Sequence, residues 1–224
     1  MFSAATLNCA SVRPRLDPIV GWLGRHPVDV LGLQETKVED DAFPVMDFRM
    51  AGDETARLIW AVVRGVTVVD TYGPQGQVAD SAEFAYKLEW LDHLPAFFTR
   101  HWSPREPLLW VGDFNVALEP IDVHAPEMLG NHSDFHPAVR AALERIRAWG
   151  STDVFRQFHP EPGHYTYWDY RTRGSLEHNR GWRIDHIWAT RLLAVRATAA
   201  WIDVDARRAP RPSDHTLLVA VFGD

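Results

Sequence analysis

The chain has 224 residues, 46% of them hydrophobic, ten tryptophans and a formal net charge of −7. That length and apolar content are those of one domain with a substantial core, and they exclude intrinsic disorder. The acidic balance counts against a generally phosphate-binding surface, but less so if the acids gather around a bound cation that reverses the local sign.

In chain order, Ala4 to Cys9 reads as a short strand ending at Asn8. Leu16, Ile19, Val20 and Leu23 recur at helical spacing between Arg15 and Arg25, and Val28 to Leu33 reads as a buried strand running into Gln34-Glu35-Thr36-Lys37. Arg57–Val63 and Val66–Tyr72 are two β-branched runs joined by Arg64-Gly65, a hairpin pattern. Ser81 to Arg100 is the clearest helix, with Phe84, Leu88, Leu91 and Leu94 on one stripe and Ser81 placed to cap it. A strand from Leu108, a polar loop over 119–137 and a helix from Ala138 to Trp149 follow. After Gly150 the chain turns aromatic and basic, and Ile184–Ala189, Val195–Ile202 and Thr216–Phe222 read as strands. Strictly alternating strand and helix is absent. This predicts an α/β (α+β) fold of sheet packed on sheet with helices outside. The single cysteine, Cys9, reads as a small buried residue and excludes an intrachain disulfide. With no leader pattern and no membrane-spanning run, a cytoplasmic protein with no membrane partner is expected.

The run Leu108-Leu109-Trp110-Val111-Gly112-Asp113-Phe114-Asn115 organises the rest. On extended backbone, Asp113 and Asn115 would project to one side, an acid beside an amide. A simple Asp-Phe-Asn turn is the competing reading. Other predicted strand ends carry polar groups too: Asn8, Gln34-Glu35, Tyr72 and Asp185-His186, with Asp214-His215 just before the last strand. Any one of these has a dull explanation, as a turn residue, a solvated charge or a satisfied histidine. Their coincidence at strand ends is much harder to dismiss.

Chemically the set suits phosphodiester hydrolysis. Oxygen ligands such as Glu35 and Asp214 suit Mg²⁺ or Mn²⁺ rather than zinc, and there is no nucleotide-cradling Gly-rich loop and no serine-esterase elbow. An acid, a histidine, a metal and an amide together supply an activated water and charge neutralisation.

Taken together, Leu33-Gln34-Glu35-Thr36-Lys37, Tyr72-Gly73-Pro74-Gln75-Gly76, Gly112-Asp113-Phe114-Asn115, Gly181-Trp182-Arg183-Ile184-Asp185-His186 and Arg211-Pro212-Ser213-Asp214-His215, with Asp122-Val123-His124 and Tyr165 to Arg171, form an ordered set over nearly the whole chain. In this set the chain resembles the exonuclease III family of DNA-repair nucleases, within the endonuclease/exonuclease/phosphatase superfamily. The resemblance implies a four-layer αββα sandwich in a single domain over 1–224. It also implies a Mg²⁺- or Mn²⁺-dependent, monomeric enzyme acting on double-stranded DNA at abasic sites and 3′ ends. By that resemblance, Glu35 is the principal metal ligand, with Asn8 and Asp214 close by and Asp113 and Asn115 in the same set. Asp113 orients or deprotonates water, Asn115 holds the phosphate, Tyr72 faces it, and His215 polarises it with Asp185 fixing its tautomer. Either Asp113 or His215 is the general base. Lys37, Gln75, Tyr167, Trp168, Arg171, Trp182 and Ile184 are expected to contact DNA, with Trp168, Trp182 and Ile184 lining the pocket for an extruded abasic sugar.

The sequence departs from the family between Phe48 and Arg57, where relatives carry a longer insertion with a DNA-gripping lysine; here that stretch is only Arg49 to Ala56. This leaves two other readings open: a phosphodiesterase acting on a non-DNA phosphoester, or a repair nuclease that has lost one of its two DNA activities through the shortened insertion. A binding module that has lost activity is a further reading, against which the intact Glu35, Asp113, Asn115, Asp185 and His215 argue.

Overall fold

The computed structural model describes residues 1–38 and 57–224. The shortened stretch between Phe48 and Arg57 lies outside the described residues except at Arg57. Among the described residues, nine strands form two sheets. β1 (Phe2–Asn8), β2 (Val30–Gln34), β8 (Ala197–Asp203) and β9 (Leu217–Phe222) make a four-stranded sheet in the order β2-β1-β9-β8. β3 (Leu58–Val63), β4 (Val66–Tyr72), β5 (Leu108–Asp113), β6 (Ser151–Asp153) and β7 (Asp185–Thr190) make a five-stranded sheet in the order β3-β4-β5-β7-β6. The sheets are mixed: β1 pairs parallel with β2 and antiparallel with β9, while β5 pairs parallel with β4 and antiparallel with β7.

The period of two along each strand builds the layers. Leu109 and Val111 of β5 pack with Phe2, Ala4, Val68, Ile187, Leu218 and Ala220 in the layer between the sheets. Leu108 and Trp110 face the opposite way, onto Phe84, Leu91, Leu94 and Phe98 of α2 (Ala82–His101) and Val139, Leu143 and Ile146 of α4 (Pro137–Ala148). Ala5, Leu7 and Val219 turn outward from the other sheet onto Ile19 and Trp22 of α1 (Leu16–Arg25). The architecture is therefore the four-layer αββα sandwich. The helix predicted from Ser81 is capped as expected, its hydroxyl accepting from the Phe84 N–H at 3.1 Å.

The aromatic, basic segment differs from the reading of its sequence. β6 and α5 (Val154–Phe158) interrupt it, and the strand predicted from Val195 begins only at Ala197, after α6 (Arg191–Ala194). The polar loop over 119–137 also holds a short α3 (Pro126–Leu129). These elements are three to five residues long, too short for periodicity to announce them.

Behind the strand ends, the Arg183 guanidinium is fully buried. It donates through Nε to Asp122 Oδ1 at 2.8 Å and through Nη2 to Asp153 Oδ2 at 2.7 Å. Asp122 is also paired with Arg156. The third Arg183 contact, Nη1 to His186 Nδ1 at 3.1 Å, fixes a tautomer. Arginine can only donate, so Nδ1 accepts and the ring proton sits on Nε2, which donates to the Val116 carbonyl at 2.8 Å. Burial raises the pKa values of Asp122 and Asp153, but the charge and hydrogen bonds of Arg183, joined by Arg156 at Asp122 and by His186 at Asp153, together outweigh it and hold both carboxyls below the ordinary range.

Replacing Arg183 with methionine strands Asp153 and leaves Asp122 to Arg156 alone, and the expected loss is about 3–5 kcal/mol of unfolding free energy, measured by urea titration. The sign with pH follows from the depressed carboxyl pKa values. Their stabilisation is complete above the unfolded-state value near 4 and is lost as pH falls below it. The native chain should therefore lose midpoint steeply in that acid window. An Arg183→Met chain unfolding with native stability would contradict the assignment.

Candidate active site

The side-chain alternation that fills the inter-sheet layer also sets its open end. Asn8, Gln34, Tyr72 and Asp113 are the last residues of β1, β2, β4 and β5, and Asp185 is the first of β7. Asn8 registers with Gln34, Tyr72 with Asp113, and Asp113 with Asp185, so these ends lie side by side. Asp113 shares parity with Leu109 and Val111, and Asp185 with Ile187, so both project between the sheets rather than outward. Gly112 makes the approach possible. Its φ is +134°, and a Cβ there would lie 2.0 Å from the Thr71 carbonyl oxygen.

Asp113 and Asn115 do meet, but not by the extended geometry expected from the sequence. Asn115 is left-handed, with φ +51°. The strand stops at Asp113, whose Oδ1 accepts from the Asn115 backbone N–H at 2.9 Å. This side-chain-to-backbone turn replaces the extended pair because Asp and Asn compete well for local backbone groups. The Asn115 Nδ2 donates to the Gly73 carbonyl at 2.9 Å and lies 3.3 Å from Asp113 Oδ2.

Lys87, which the sequence reading passed over, holds this turn from behind. Its ammonium is fully buried and donates to the Asn115 carbonyl at 2.6 Å, Asp134 Oδ1 at 2.7 Å and the Gln75 carbonyl at 3.2 Å, using all three protons. A signal was there: Lys87 sits between Phe84 and Leu91 on the apolar stripe of α2.

A relay of proton positions crosses the site. The His215 Nδ1 lies 2.8 Å from Asp185 Oδ2, and its Nε2 lies 3.8 Å from Asp113 Oδ2. A carboxylate only accepts, so Asp185 keeps the imidazole proton on Nδ1 and aims Nε2 toward Asp113. Asp185 is itself held by its backbone N–H, which donates to Thr166 Oγ1 at 3.2 Å. Burial pushes the Asp113 carboxyl well above its ordinary range, against the His215 cation that draws it down. Burial pulls His215 down, but the Asp185 and Asp113 carboxylates outweigh it and raise the imidazole. His215 is raised further than Asp113, so the proton between them rests on the imidazole and leaves Asp113 a carboxylate able to take a proton from water.

On the other side, Asn8 donates to both Glu35 Oε1 at 2.8 Å and Asp113 Oδ2 at 2.9 Å, while its own oxygen accepts from the Ala10 N–H at 3.0 Å. Asn8 thus spaces the two acids and does not line the cleft. Tyr72 Oη donates to Glu35 Oε1 at 3.0 Å, and Lys37 Nζ stands 3.0 Å from Oε2. Burial raises Glu35, but the Asn8, Lys37 and Tyr72 hydrogen bonds outweigh it and keep it ionised. Burial raises the Tyr72 phenol, with Asp113 and Glu35 adding to it, so it stays protonated as a donor.

These groups open into a cleft of about 740 Å³. Lys37, Gln75, Tyr167, Arg171, Trp182 and Ile184 stand on its walls, as do Glu35, Tyr72, Asp113, Asn115, Asp214 and His215. Trp168 does not. Its ring is buried at 1% exposure and its Nε1 donates to Asn179 Oδ1 at 3.3 Å, so the structure makes it core rather than wall. Trp182 is flanked by His132, at 4.5 Å between ring centroids, and His124, at 6.2 Å. His132 was not anticipated, since nothing in its loop sequence marks it.

Asp113, Asp185 and His215 place ligating atoms within 4.8 Å of one another. Their facing atoms are already joined to each other and to Asn8 and Asn115, which suits a relay better than a cage. Glu35 and Asp214 instead offer oxygens at the cleft surface, a donor set that fits a hard divalent cation.

A four-layer sandwich with a carboxylate–histidine centre at the open end of its inter-sheet layer defines a class of hydrolases. The chain belongs to the endonuclease/exonuclease/phosphatase family, whose model matches residues 5–215. An AP endonuclease from Archaeoglobus fulgidus superposes with a TM-score of 0.92 at 39% identity, over 100% of both chains. A 3′ phosphatase from Neisseria, solved bound to a product DNA hairpin, superposes with a TM-score of 0.91 at 29% identity, again over 100% of both chains. Exodeoxyribonuclease III of Haemophilus influenzae is 27% identical over an alignment of 263 residues that covers 97% of this chain and 98% of that protein. That alignment is longer than the 224 residues present, so this chain is the shorter of the two. The protein is a hydrolase of the nuclease kind.

Asp185→Asn should leave the fold intact and lower turnover about 10²- to 10⁴-fold, the usual range for losing positioned acid–base function. Removing that negative charge also lowers the His215 pKa, so the limb of the pH–rate profile reporting His215 should move to lower pH. A pH–rate profile of the variant superimposing on the native one would refute the relay.

Proposed function

We propose that the chain is a Mg²⁺-dependent (or Mn²⁺-dependent) DNA-repair phosphodiesterase. In this reading it removes nucleotides 3′→5′ from duplex DNA, cuts 5′ to abasic sites and trims blocked 3′ ends. The observation carrying it is the facing pair of Asp113 and His215, held 3.8 Å apart between the Glu35 side of the cleft and Asp185. A phosphodiester needs a water on one side and neutralised phosphoryl oxygens on the other. Asp113 takes or steers the proton of the attacking water, because its raised pKa leaves it basic enough at neutral pH. His215, with its tautomer fixed by Asp185, presents Nε2 to a phosphoryl oxygen. Tyr72 and Lys37 orient Glu35, which with Asp214 would hold the cation. That cation neutralises phosphoryl charge when bound. Trp182, Ile184 and Tyr167 form the apolar part of the wall, where an extruded sugar would sit, and Gln75 and Arg171 face the backbone. One domain, acting as a cytoplasmic monomer, completes the reading.

A second reading has its own support. The chain is shorter than the exodeoxyribonuclease and equal in extent to both the 3′ phosphatase and the AP endonuclease, so one DNA activity would remain if the other had been lost with the missing stretch.

Three labelled duplexes separate these readings: one with an internal abasic-site analogue, one with a recessed 3′ end and one with a 3′ phosphate. With Mg²⁺ all three should be processed, and chelation or Asp113→Asn should abolish turnover by about 10²-fold or more. Processing of the 3′ ends alone, or of the abasic duplex alone, selects the second reading. No Mg²⁺-dependent turnover on any of the three overturns both.

A further inference from the structure

The loop that follows α5 contributes no residue to the cleft, yet it gathers three ligating side chains in the order His159, Glu161, His164. His164 Nε2 lies 2.7 Å from Glu161 Oε1, and His159 Nδ1 lies 3.6 Å from the same oxygen. One ligand atom from each residue falls within 4.8 Å of the others. The loop is built rather than loose. Arg156 Nη1 donates to the carbonyls of both His159 and Glu161 at 2.8 Å. The His159 ring stacks on Phe155, with centroids 4.5 Å apart and planes 22° from parallel. Asn179 Nδ2 donates to the Gly163 carbonyl at 2.9 Å.

The decisive contact is at the back of His159, whose Nε2 lies 2.8 Å from the Ala200 carbonyl oxygen in β8. A carbonyl only accepts, so Nε2 carries a proton and Nδ1 is the ring nitrogen turned away from β8. Nδ1 faces the Glu161 carboxylate at 3.6 Å. A positive centre belongs between them, either a proton on Nδ1 or a metal ion. The surface pairing of Glu161 with His164 accounts for that pair, while the Ala200 carbonyl fixes His159 with Nδ1 turned to the same oxygen. Backbone carbonyls hold metal-binding imidazoles in this way, by the nitrogen that does not bind.

We propose that His159, Glu161 and His164 form a second cation site, separate from the hydrolytic centre and selective for a borderline dication of the Zn²⁺ type. Two imidazoles and one carboxylate are a zinc donor set, and the exposure of Glu161 leaves a fourth position for water. Mg²⁺ prefers an all-oxygen shell, so the two centres sort different metals. On binding, the His164 Nε2 proton leaves that nitrogen, either to Nδ1 or to solvent, and its lone pair turns to the ion. The ion then ties the end of α5 to β8 through His159 and Ala200. It also braces the lead-in to Thr166, which holds Asp185, and to Tyr167, whose ring lies 4.8 Å from that of His215.

The test is equilibrium dialysis of the native chain, His164→Ala and Glu161→Ala against Zn²⁺ in excess Mg²⁺, which occupies the hydrolytic centre. Bound zinc is counted per chain by elemental analysis, and thermal unfolding is followed with and without Zn²⁺. The native chain should hold one zinc, and each variant should bind it at least about 10- to 100-fold more weakly. Zinc should raise the native unfolding midpoint and leave those of the variants unmoved. Because both side chains lie at the surface, both variants should fold, which their zinc-free melting curves verify. Equal zinc retention in native and variant chains, or zinc lost only on Asp113→Asn, overturns the proposal, as does a native chain that binds none.

Discussion

One buried cation determines where the catalytic end of this sandwich sits. Arg183 lies with no solvent exposure between Asp122 of the 119–124 loop and Asp153 of β6, two residues before Asp185 opens β7. A guanidinium in that position must have its donors met, or its desolvation would cost several kcal/mol. Meeting them pulls three distant segments together. The same contact set extends through His186 to the Val116 carbonyl, just beyond the Asp113–Asn115 turn. Lys87 anchors that turn from the opposite face through the Asn115 carbonyl. Two buried cations, neither in the cleft, thus clamp the turn that carries the water-handling acid.

Between these clamps the sandwich does little that is special. Its inter-sheet layer is ordinary alternation of apolar side chains, and the chemistry begins where the apolar filling ends. Asp70, two residues before Tyr72, shows the cost of carrying acids that deep. Burial pushes its carboxyl up to about 7, although Gln34 donates to it at 2.6 Å. Asp113 and Asp185 lie in the same layer, and His215, the Asn8 amide and the Asn115 N–H offset their mutual repulsion. The site is therefore a region where charge is rationed, and protonation and cation binding are linked.

Much of this was legible in the sequence because it followed from period and punctuation. The β3–β4 hairpin, the capped α2, and the polar residues at Asn8, Gln34, Tyr72, Asp113 and Asp185 all mark strand ends that the structure places side by side. What was not legible lies in pairings between distant segments. That Arg183 meets Asp122 and Asp153 depends on a sheet order, β5-β7-β6, that no local pattern announces. Trp168 looked like a cleft residue because it sits among aromatic and basic neighbours, but alternation at Tyr167 sends it inward. Lys87 was visible only as a charge in an apolar stripe, a signal that gains meaning once the Asn115 carbonyl stands above it.

The residues with left-handed backbone have a consequence for how this protein can change. Glu35, Lys37 and Asn115 all have φ near +50°, and Ala10, Ser11 and Arg211 join them around the same end of the sandwich. A side chain in that region costs about 1–3 kcal/mol, which glycine would not. Selection for heat resistance alone would therefore drift toward glycine at these positions and erase the carboxylate, the ammonium and the amide that occupy them. Durability and chemistry pull in opposite directions at the same handful of codons, so a robust ancestor or engineered variant with glycine there would keep the shape of a nuclease and lose its purpose.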